Sequence, residues 1–125
     1  MSKLQISWSS LQKSGIKALD CWGEIKNVLN NIMLSNGCVT LDKLDDDGYL
    51  ISEIQVRMDG GVYLVTFLNE DDEVMTLSDL TQPDEKVLIS GDYWSIRQTT
   101  KDFDLVVRIF KEFFDTGNVS TDILN

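Results

Sequence analysis

Apolar side chains recur along this chain with two different periods, and the switches between them mark its elements. Ile54, Val56 and Met58 alternate with Glu53, Gln55 and Arg57, the period-two pattern of a strand with one buried face. Val62 to Leu68 is apolar on both alternations, with Val62, Leu64 and Leu68 on one side and Tyr63, Val65 and Phe67 on the other. That pattern predicts a central strand in a sheet covered on both faces. Met58-Asp59-Gly60-Gly61 before it and Asn69-Glu70-Asp71-Asp72-Glu73 after it read as hairpin connections. Cys38 to Leu44 and Tyr49 to Met58 form strands around an Asp45-Asp46-Asp47-Gly48 turn, and Val74 to Leu77 follows the central strand. Leu4, Ile6 and Trp8 predict a short edge strand over Lys3 to Trp8. Beyond a loop holding the sole proline, Pro83, come strands at Val87 to Ser90 and Tyr93 to Gln98, with a bend or bulge at Gly91-Asp92.

The helical period appears twice. Ile16, Leu19, Trp22, Ile25, Val28 or Leu29, and Ile32 recur every three or four residues. They predict an amphipathic helix that starts at Ser10 or Ser14, carries Cys21 on or near its apolar part and stops at Asn36-Gly37. The second stripe is Phe103, Val106, Val107, Phe110, Phe113 and Phe114, with Thr99 or Thr100 as cap and Gly117 as terminator. Asp102 and Asp104 complement its macrodipole, and Asp104 with Arg108 has the spacing of an ion pair. Residues 118–125 form a tail with the makings of a short strand. Strands segregated from two helices place residues 1–125 in one α+β domain, a mostly antiparallel sheet of five or six strands packed by two amphipathic helices.

Charge sharpens this outline. The chain has 125 residues and a net charge of −10, and the excess is concentrated. Between Asp42 and Glu85 lie 13 acidic residues against only Lys43 and Arg57, so the remainder is close to neutral. Such a balance argues against nucleic acid and anionic membrane surfaces as partners, because both require clustered Lys and Arg. It suits long-range attraction of a basic protein, or simply the solvation of hairpin tips. No export signal or membrane-length apolar run is evident, so the expectation is a cytoplasmic protein whose Cys21 and Cys38 are thiols, although a disulfide between them stays open.

Few chemistries survive inspection. The absence of histidine removes Ser-His-Asp and Cys-His catalysis and most zinc sites. Asp45-Asp46-Asp47-Gly48 fails as a calcium loop, since Ile54 stands where a bidentate Glu is needed and strands replace the flanking helices. Gly60-Gly61 has no phosphate-loop context. The expectation is a non-catalytic binding domain without cofactor or metal. Tyr and Trp beside carboxylates are the composition of a protein-binding hot spot. Tyr93 and Trp94 are adjacent on a strand, so they point to opposite faces.

Asp102-Phe103-Asp104-Leu105-Val106-Val107, leading to Phe110-Lys111-Glu112-Phe113-Phe114-Asp115-Thr116-Gly117 after an acid-tipped meander, resembles small bacterial immunity proteins of polymorphic-toxin and contact-dependent growth-inhibition systems. The resemblance implies a protein that binds a cognate toxin domain, often a nuclease with a basic cleft, and blocks it. The contacts expected on that reading are Asp45, Asp46, Asp47, Asp59, Glu70, Asp71, Asp72 and Glu73, with Tyr49 and Tyr93 as anchors. A protein-interaction or adaptor domain, monomeric or homodimeric, with purely solubilising acids is the alternative.

Overall fold

The structure, a computed structural model, describes residues 3–10, 14–19, 21–32, 36–121 and 123–124. The elements follow in the order β1 (Lys3–Ser10), β2 (Ser14–Leu19), α1 (Trp22–Ile32), β3 (Gly37–Leu44), β4 (Leu50–Asp59), β5 (Val62–Leu68), β6 (Val74–Thr76), β7 (Lys86–Ile89), β8 (Asp92–Ser95), a 3-10 turn (Ile96–Gln98), β9 (Thr99–Thr100) and α2 (Phe103–Thr116). Seven strands make one antiparallel sheet in the order β2-β1-β3-β4-β5-β6, with β9 joining β5 beside β6. The α+β architecture expected from the two periods is therefore present.

One face of the sheet carries the main core. Ile6, Val39, Leu41, Ile54, Val56, Met58, Tyr63, Val65 and Phe67 project from the strands against Ile25 and Leu29 of α1 and Val106, Ile109, Phe110 and Phe113 of α2. Aromatic pairs fix how α2 lies. Phe103 meets Tyr63 at 5.7 Å between ring centroids, and Phe113 meets Phe67 edge-on at 6.0 Å. The helix thus runs along β5, with its C-terminus at the end of the sheet where the β3–β4 and β5–β6 turns lie. Asp102 caps it by accepting the N–H groups of Asp104 and Leu105, and Gly117 closes it in the left-handed conformation at φ 73°. Its ion pair is Lys111–Asp115 at 3.0 Å; the expected Asp104–Arg108 pair does not form.

The opposite face is covered in part. Leu64 is completely buried outside the main core, as is Ile89. Arg57, the cross-strand neighbour of Leu64, lies 6.0 Å from the Trp94 ring centroid and 3.8 Å from the Asp92 carboxylate. The β7–β8 hairpin therefore straps across this face, which explains why β5 is apolar on both alternations.

Several expectations are corrected by this arrangement. Residues 14–19 form β2, paired to β1, and α1 begins only at Trp22. Ile16 is 67% exposed, and Cys21 is also exposed just ahead of the helix. The physical reason lies at Gly15. A Cβ there would run into the Trp8 ring across the strand pair, so the glycine seats an indole and marks no helix start. With β2 outside it, β1 is an interior strand and no edge. Gly37 opens β3 instead of stopping α1, while Asn36 accepts the Gly60 N–H at 3.1 Å. Thr99 and Thr100 pair with β5, leaving the helix cap to Asp102. Ser90-Gly91 is a tight turn between paired strands and no bulge. Among the described tail residues no strand forms.

Candidate functional site: an acidic end of the sheet

The two acidic turns are built on one plan. In the first, the Asp45 carboxylate accepts the N–H groups of Asp47 and Tyr49, both at 2.9 Å, and Gly48 adopts a left-handed φ of 87°. In the second, the Asn69 side-chain oxygen accepts the N–H groups of Asp71 and Glu73 at 2.9 and 3.0 Å, and Asp72 takes the left-handed position at φ 61°. A first-position Asp or Asn holds the loop through its side chain, and the acids that follow it, Asp46 and Asp47 in the first turn and Glu70 to Glu73 in the second, are exposed. The fourth position needs positive φ, which glycine supplies without strain and aspartate only at a cost. The second turn thus keeps a carboxylate where the first uses glycine.

Strand direction brings both turns to the same end. β3 and β5 both run toward it, and β4 starts from it. Asp45, Asp46, Asp47, Tyr49, Glu70, Asp71, Asp72 and Glu73 all belong to this end. Tyr49 is 73% exposed, and Leu50 and Val74 are exposed beside the acids. The last turn of α2 carries no basic residue, so the negative end of its dipole adds to the carboxylates. Cations stand there as well: Lys43 lies against Gly117, and Lys3 opens β1 opposite Leu44.

Two expected contacts lie elsewhere. Asp59 ends β4, about 30 Å along the strand from Leu50, and its carboxylate accepts the Ser90 N–H at 3.1 Å. Its role is to fasten the β7–β8 hairpin. Tyr93 is 73% exposed but stands on that hairpin opposite Leu88, away from the acidic turns, while Trp94 turns inward toward Arg57.

A cleft of about 370 Å³ opens between the β5–β6 turn and the end of α2. Phe67, Met75, Val119 and Leu124 line its depth, Glu70 and Asp71 its rim, and Thr116 to Asn118 the opposite wall. Sequence reading could not find it, because it joins segments that only the docking of α2 brings together.

A carboxyl pair also went unrecognised in the sequence. Asp42 and Glu53 face each other across β3 and β4 on the side opposite the main core. Burial, the hydrogen bond to Glu53 and the Glu53 charge push the Asp42 carboxyl up to about 7. Asp42 Oδ1 is enclosed without a hydrogen-bond partner. On the same face, Gln55 donates to the Thr40 hydroxyl at 3.0 Å. Burial likewise pushes the neighbouring Cys38 thiol up, which disfavours the reactive thiolate. Both cysteines are free thiols. Among the described residues no group of His, Cys, Asp or Glu converges as a metal site, and no helix is long and apolar enough to cross a membrane.

Comparison with known proteins adds a family but no activity. Residues 6–123 match the family of unknown function DUF6911. The chain belongs to DUF6911. This DUF6911 chain is also similar in fold to a solved structure described as a hypothetical protein from Neisseria gonorrhoeae. That similarity has a TM-score of 0.72 and 19% identity, covering 96% of this chain and 92% of the other. No curated protein matches the sequence.

Proposed function

We propose that this protein binds and neutralises a cognate basic toxin domain, with the acidic end of the sheet as the docking face. The observation that supports the reading most is the convergence of eight carboxylate- and tyrosine-bearing positions from two separate turns on one end. The negative end of α2 is aimed the same way. Exposed Tyr49, Leu50 and Val74 among those acids provide the apolar anchor that pure charge lacks. The resemblance of α2 and its Phe-Phe-Asp-Thr-Gly end to immunity proteins supplies the partner class, and a toxin with a basic nucleic-acid cleft is the natural complement.

Docking of this kind is steered by charge, so association is fast and slows steeply with salt. The test is co-expression with the product of the neighbouring gene, followed by purification and stopped-flow mixing. Changing Glu70, Asp71, Asp72 and Glu73 together to Lys should lower the association rate by about tenfold or more at low salt. An unchanged rate for a demonstrated partner would remove this end from the interface.

A further inference from the structure

We infer that the cleft between the β5–β6 turn and the end of α2 is the receptor for a single long basic side chain, Lys or Arg, inserted by the protein partner. The inference rests on the docking reading above and locates its anchor point. Three features of the cleft converge on that chemistry. Its depth is apolar, with Phe67, Val119 and Leu124 almost fully buried, and this suits the aliphatic stem that Lys and Arg lay along apolar surface. Its rim carries the carboxylates of Glu70 and Asp71, both exposed and without an ion-pair partner among the described residues. Its far wall is the C-terminal end of a 14-residue helix, where carbonyl groups concentrate partial negative charge.

The chain treats the same helix end as a cation site from its other side. The Lys43 side chain packs against Gly117, and the space a Cβ would need there is filled by its methylenes and ammonium. An anion would be repelled by the two rim carboxylates, and a neutral polar ligand would leave them without a counter-charge. A wholly apolar side chain would bury the floor but leave the rim unanswered. Asn69 holds the rim in place, since its side chain ties the backbone of Asp71 and Glu73 while donating to the Glu73 carboxylate at 3.3 Å.

The experiment is a titration of the intact protein followed by amide NMR, with N-acetyl-arginine amide as probe and N-acetyl-citrulline amide as its neutral isostere. The arginine probe should give saturable shifts at Asn69 to Asp71 and Thr116 to Thr121, with a dissociation constant in the millimolar range. The citrulline probe should give none. Glu70→Gln with Asp71→Asn should weaken binding by about threefold to tenfold, and Asn118→Trp, which fills the cleft at unchanged charge, should abolish it. Equal shifts from both probes, or arginine shifts centred on Asp45 to Tyr49, would overturn the assignment. With the purified partner, Asn118→Trp should lower capture. Capture that survives Asn118→Trp but fails on fourfold charge reversal would discard the cleft and keep the docking face, whereas survival of both variants would discard the docking face as well.

Discussion

Replacing Asp42 by Asn tests the carboxyl pair through stability. The native fold raises the proton affinity of this side chain from an ordinary 3.8 to about 7, so between those values the folded state holds a proton that the unfolded chain releases. The stability gained from that proton is fully present below pH 3.8 and is lost as the pH rises through about 7. A difference of about 3 pH units would correspond to ~4 kcal/mol if nothing screened it. Asp42 is only half-buried, and solvent screening reduces the expected effect to about 1–2 kcal/mol. Urea unfolding between about pH 5 and pH 8 measures it directly. The window is unusually clean, because the chain has no histidine and burial pushes the Cys38 thiol above its ordinary 9.0. Wild-type stability should fall by more than half of that amount across the window, whereas Asp42→Asn should be nearly flat and match or exceed wild type at the alkaline end. Parallel curves for the two proteins would refute the shared proton.

Gly15→Ala should destabilise by about 1–3 kcal/mol, because the Trp8 ring must move to admit a Cβ; chemical denaturation reads this, and a neutral result would mean that Trp8 is not seated there. Asp72→Gly should raise stability by about 0.5–1 kcal/mol by relieving the left-handed aspartate. The same change should slow partner capture, so a variant that is both more stable and equally fast would separate Asp72 from docking.

Legibility in the sequence followed the range of the interactions involved. α2 could be read because its stripe, its terminating glycine and its first-turn acids are all local signals, although its cap moved from Thr99 or Thr100 to Asp102 and its ion pair from Asp104–Arg108 to Lys111–Asp115. The meander from β3 to β6 could be read because each turn announces itself within a few residues. β2 could not. Its helical spacing of Ile16 and Leu19 is a coincidence of a short strand followed by a real helix, and the deciding contact, Gly15 against Trp8, comes from another strand. The acidic turns were visible as composition, but their sharing of one end required strand directions. Asp59 had the right charge and the wrong end. The Asp42–Glu53 pair had a usable signal, since both residues stand equally far from the Asp47-Gly48 turn and hairpin register makes them neighbours. The cleft had none.

The placement of β1 between β2 and β3 carries a kinetic consequence. Two stretches of the sheet are wired locally, the β1–β2 hairpin and the β3-to-β6 meander, and a single ladder sews them together. Residues paired along that ladder stand roughly thirty to forty positions apart, so closing it costs more loop entropy than any hairpin of the sheet. We expect this ladder to zip after the rate-limiting barrier. Ile6→Val should then hasten unfolding and leave the refolding rate nearly untouched, whereas slowed refolding would place the ladder inside the nucleus. On that expectation, the portion bearing the acidic turns assembles first, and the amino-terminal hairpin arrives as a late cover over one side of it.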